Sequence, residues 1–142
     1  MKVLNPYEVS VVEWTPTYKG TTVAGTFTYV SQVGRATVLG PLVFVQGVCA
    51  LSAIGVAPTG NMTIAGLPLP VSAVPNGGVA FSFISHFNYS LLSLQLMGVI
   101  VGSGNVIDLY ESFINAVAVR APAANFTNVN CNLQFFGYYM KG

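Results

Sequence analysis

A chain of 142 residues in which 6% are charged and 53% hydrophobic lacks the charge to cover a soluble monomer, for which ~25% is ordinary. Its five cations, Lys2, Lys19, Arg35, Arg120 and Lys141, are scattered and leave a net charge of +1, so no basic stripe exists to neutralise phosphates and nucleic-acid binding is not expected. The length suits one domain with its own core and is short for two.

Residues 1–8, MKVLNPYE, read as an extended arm ahead of a single domain over residues 9–142. Asn5, Pro6 and Glu8 interrupt the arm before any continuous apolar run forms, so it does not read as a signal peptide. If the arm crosses to a neighbouring subunit, Tyr7 and Val9 are its expected anchors.

Val9 to Trp14 and Ala24 to Gln32 supply two strands, with Thr15 to Gly20 as their connection. Leu42 to Ala53 (LVFVQGVCALSA) then sets Val43, Val45, Cys49 and Leu51 on one face and Phe44, Gln46, Val48 and Ala50 on the other. This reads as a central strand, apolar on both sides. In TGNMTIAGLPLP a turn at Thr59-Gly60 leads into a short strand, Met62 to Ala65, which Gly66, Pro68 and Pro70 bring to a stop.

Val79 to Ser90 alternates Phe81, Phe83, Phe87 and Tyr89 against Ser82, Ile84, His86 and Asn88. In the next run Leu92, Leu94, Leu96 and Ile100 oppose Ser93, Gln95, Met97, Val99 and Val101. Gly102 to Asn105 is a hairpin loop into Val106 to Ser112, where Ile107 and Leu109 share a face. Phe113 to Arg120 reads as a helical turn and Ala123 to Asn128 as a short capped turn. Asn132 to Met140 closes the chain, with Leu133, Phe135 and Tyr139 opposite Gln134, Phe136, Tyr138 and Met140.

Mean hydropathy is +0.64, yet the longest apolar run, Leu91 to Gly102, contains Ser93 and Gln95 and falls short of the ~18–20 residues of a spanning helix. Membrane-barrel strands alternate apolar with polar around a wet lumen, whereas several strands here are apolar on both sides; membrane insertion is not expected. About eight or nine short strands punctuated by Gly, Pro and Asn predict an all-β chain, an antiparallel β-sandwich or jelly roll.

Chemistry is sparse. The one histidine, His86, reads as a structural strand residue, and the acids Glu8, Glu13, Asp108 and Glu111 make no metal set with two distant cysteines. Asp108 and Glu111, three apart on a strand, point to opposite faces and do not pair as acid and base. Gly102-Ser-Gly104 lacks the lysine of a phosphate loop, and no serine has a nucleophile-elbow context. No enzyme activity and no cofactor are expected. Cys49 and Cys131 are expected buried and reduced. The sequons at Asn61, Asn88 and Asn125 read as ordinary strand and turn polar residues.

Apolar strand faces left over once a core is filled point to burial between copies. Met97, Val99, Val101, Phe136 and Tyr138 are the expected subunit interface, each on the second face of a strand whose first face is core. The numerous tyrosines and phenylalanines also offer stacking surface to sugars.

Trp14-Thr-Pro16, Gly25-Thr-Phe-Thr-Tyr29, LVFVQGVCALSA, TGNMTIAGLPLP, Leu94-Gln-Leu-Met-Gly98-Val, NVIDLYES, Asn125-Phe-Thr-Asn128 and FFGYYM follow one another over nearly the whole chain. In that order they resemble a β-sandwich module of tail-fibre, tailspike and other virion surface proteins of tailed bacteriophages. Two departures stand out: Leu69 and Pro70 follow Pro68 where the family has an aromatic, and Phe136-Gly-Tyr-Tyr139 replaces a serine-rich ending. The resemblance implies a homotrimer on the virion surface. Because the sandwich begins within about a dozen residues of Met1 with no shaft ahead of it, the expected role is a capsid decoration (cement) protein held on the major capsid protein. The alternative is a tail-fibre or receptor-binding tip that recognises host surface glycan.

Overall fold

The computed structural model describes residues 9–142 apart from 75, 103 and 128; the arm and Tyr7 lie outside the described residues. Ten strands form: β1 (Val9–Trp14), β2 (Thr17–Gly20), β3 (Phe27–Leu39), β4 (Leu42–Ile54), β5 (Met62–Ala65), β6 (Gly77–Ser85), β7 (Ser93–Ile100), β8 (Val106–Phe113), β9 (Ala116–Arg120) and β10 (Asn132–Met140). All their pairings are antiparallel, in the order β1-β3-β4-β10-β6-β7-β8-β5-β2. Strand β9 lies end to end with β5 along one edge of β8. The antiparallel sandwich-like fold expected from the sequence is the fold observed, with ten strands among the described residues.

The sheet curls over on itself. Although β1 and β2 are separated by only Thr15 and Pro16, they occupy opposite ends of the strand order, so this link carries the chain from one layer to the other. Tyr18 on β2 reaches across to β4, donating its hydroxyl to the Cys49 carbonyl at 2.6 Å. Its backbone N–H donates to the Tyr29 hydroxyl on β3 at 2.9 Å.

The core fills the space between the layers. Strict alternation holds in β4, β8 and β10: Val43, Val45, Ile107, Leu109, Leu133 and Tyr139 are all buried, as their sequence pattern predicts. One row across β1, β3, β4 and β10 reads Trp14, Gly34, Gly47, Phe135. The two rings lie over the paired glycines with centroids 5.9 Å apart. A Cβ at Gly34 would come within 2.6 Å of the Trp14 ring, and one at Gly47 within 2.5 Å of the Phe135 ring. The glycines are there because the aromatic rings occupy the volume a side chain would take.

The structure corrects five expectations. Thr17–Gly20 is a strand against β5 rather than part of a connection, with Tyr18 fully buried. The strand expected at Ala24 to Gln32 runs Phe27–Leu39 instead, because it pairs with β4 along almost its full length. Phe113 to Arg120 is a hairpin, not a helical turn: Asn115 takes a φ of 55° at its bend and β9 folds back on β8. In β6 an extra residue, Ser82, sits between the pairs Phe83–Gln134 and Phe81–Phe135, and this bulge sends Phe83 outward while Phe81 stays against the core. The same strand ends at Ser85, leaving His86 outside it at a φ of 55°.

Candidate functional site

Because β10 lies between β4 and β6, its outward side chains occupy the middle of one sheet face. Phe136 sits between Gln46 and Ala80, and Tyr138 between Phe44 and Gly78. The Tyr138 row continues through Phe44 to Thr37 and Val11 on one side and through Gly78 to Val99 on the other. Small residues on β6 leave the two rings standing proud of the sheet. Phe136 is 55% exposed, Tyr138 52% and Phe44 46%. This is a built apolar surface rather than scattered residues.

Polar groups border it. Arg35, Gln46, Gln134 and Ser82 line a shallow groove of about 360 Å³ beside Phe136. Arg35 approaches Glu13 at only 3.8 Å, with both side chains well exposed, a pairing that adds little stability. At the far side Met97 is opposite Tyr110 and Val99 opposite Asp108. There Arg120 donates to Asp108 at 2.8 Å and lies over the Tyr110 ring. Burial raises the Asp108 pKa above the usual carboxylate value, and Arg120 opposes that shift.

Of the five expected interface residues, Phe136, Tyr138, Val99 and Met97 thus share the outer face. Val101 follows β7 and is half-buried. Val9, the expected arm anchor, opens β1 opposite Leu39 and is exposed.

A second apolar surface was not expected. A register shift in β7 leaves Leu94 without a partner across the ladder, and Leu92 adopts a φ of 66°. Leu91, Leu92, Leu94 and Ile114 are 89%, 79%, 60% and 69% exposed. Together with Phe113 they line a groove of about 530 Å³ at the tip formed by the β6–β7 loop and the β8–β9 hairpin. Alternation alone assigned Leu92 and Leu94 to the core; the bulge and the misread hairpin hid this surface.

Glu111 holds the tip in place. It is buried on the opposite face of β8 from Asp108, as their spacing predicts. Its carboxylate accepts the Ser90 backbone N–H at 3.3 Å and an Asn125 side-chain N–H. Asn88 donates to Thr127 at 2.7 Å, so two of the three sequon asparagines tie loops together.

Cys49 and Cys131 are free, buried thiols. Burial pushes both pKa values up, Cys131 to about 11. His86 contacts only the neighbouring Ser85 hydroxyl, at 2.7 Å. Among the described residues no three His, Cys, Asp or Glu side chains come together as a metal set, and no helix is long and apolar enough to cross a membrane.

No protein-family model and no curated protein matches the sequence. In fold the chain is similar to the Dettilon tailspike protein (gp208), known from its crystal structure, with a TM-score of 0.77 at 14% identity over 94% of this chain. The chain spans 24% of the tailspike's length, and at this identity the likeness is one of fold.

Proposed function

We propose that this chain is a structural module of a tailed-bacteriophage virion, carried on the tail surface and self-associating as a homotrimer through the outer face of its sheet. The observation that carries the reading is that a fold shared with a tailspike presents Phe44, Phe136 and Tyr138 outward from its central strands. Those rings leave water only when another surface covers them, and each Å² of apolar area so removed contributes ~25 cal/mol. The work of the module is therefore area and shape, not chemistry.

The tailspike likeness supports the tail over the head. The capsid-decoration expectation, with the major capsid protein as partner, rests on where the sandwich starts in the chain, and no feature of the sheet adds to it. Recognition of a host surface glycan has one observation in its favour: the groove beside Phe136 sets Arg35, Gln46 and Gln134 next to an aromatic ring, the pairing of polar groups and flat apolar surface that a sugar requires.

Cryo-electron microscopy of intact virions labelled with a fragment antibody against this chain tests the location. Label on the tail is expected; label at three-fold positions on the head contradicts the tail reading and restores the decoration role.

A further inference from the structure

We infer that the trimer closes by pairing two different patches, the outer face around Phe136 on one copy and the apolar tip around Leu92 on the next. The inference rests on the self-association reading and specifies its geometry.

A two-fold contact uses the same patch on both partners and stops at a pair. A closed ring of three needs a head-to-tail contact, hence two complementary patches on every protomer. This protomer carries two, in different places. One lies on the outside of the layer containing β4 and β10. The other lies where β6 and β7, paired only from Gly77 to Val79 with Gly98 to Ile100, have parted and the connecting loop passes between layers.

The two also fit in shape and chemistry. The tip is a groove lined by Leu91, Leu92, Leu94, Phe113 and Ile114 without a charged side chain. The face offers projecting aromatic rings. Each patch is on the scale of one side of a standard interface, ~800 Å² per partner.

Neither folding nor solubility explains the tip. Exposed leucines gain nothing from water, and Leu92 sits in the left-handed region that non-glycine residues avoid. The hydrogen bonds from Ser90 and Asn125 to buried Glu111 hold the loop in that conformation before any partner arrives. A preformed groove loses less freedom on binding.

The test uses the full chain with Leu92→Glu at the tip or Phe136→Glu on the face, both at exposed positions, with Ile114→Lys as a second tip variant. Sedimentation equilibrium reads the mass, and far-ultraviolet circular dichroism verifies that each variant keeps its strands. The expected result is a threefold fall in mass for either variant alone and a doubling when the two are mixed, because the intact face of the tip variant meets the intact tip of the face variant. A folded tip variant that stays trimeric overturns the inference, and so do two monomeric variants that ignore each other on mixing. A monomeric wild-type chain overturns the self-association reading itself.

Discussion

The Tyr18 hydroxyl donates to the Cys49 carbonyl oxygen at 2.6 Å, joining the last strand of the sheet order to the layer opposite. This buried bond fixes how far the sheet curls. Tyr18→Phe keeps the ring contacts with Phe126 and Tyr29 and removes only that bond. The expected loss is ~1–2 kcal/mol, read as a lower urea midpoint with unchanged slope.

The Trp14, Gly34, Gly47, Phe135 row predicts a steric outcome. Gly47→Ala places a methyl 2.5 Å from the Phe135 ring and should destabilise by ~1–3 kcal/mol. Combining it with Phe135→Leu should cost less than the sum of the two single changes. A double-mutant cycle on thermal or urea unfolding measures that coupling.

How much of this was legible in the sequence depends on where the ladder is regular. In β4, β8 and β10 each residue faces its partner one to one, so period-two alternation assigned Val43, Leu109, Phe136 and Tyr138 to their observed faces. Ser82 and Leu94 each add one residue to a strand, and every side chain beyond such a bulge changes face. No local pattern announces them. The β8–β9 hairpin did leave signals, Asn115 at its bend and Val117 and Val119 at alternate positions. Strand β2 was hidden by its shortness and by Pro16 in front of it; its marker was the buried Tyr18. The outer face could be read from the sequence because it lies on regular strands, and the tip could not because bulges and a left-handed leucine build it.

Glu111 is the clamp of the tip. Glu111→Gln puts an amide donor where the carboxylate accepts from Ser90 and Asn125, and loss of such charge-assisted bonds costs ~1.5–3 kcal/mol. Hydrogen exchange should accelerate at the Ser90 amide before it does in β4 or β10.

The thiols predict an alkaline loss of stability. Folding raises the Cys131 pKa from 9.0 to about 11, so between those values the unfolded chain has released a proton that the folded chain still holds. Stability from this group is complete below about pH 9 and falls as pH rises toward about 11. Urea midpoints across that range should decline, while a Cys131→Ala variant should decline less. At pH 8 neither thiol of the folded chain should react with a disulfide reagent until the protein unfolds.

The most direct test of the central claim is the mass of the purified chain in solution by sedimentation equilibrium, with Phe136→Glu/Tyr138→Glu alongside. The account predicts three times the 14.9 kDa chain mass for the natural sequence and a single-chain mass for a folded double variant. A natural chain that sediments at 14.9 kDa across micromolar concentrations, or a double variant that remains trimeric, contradicts it.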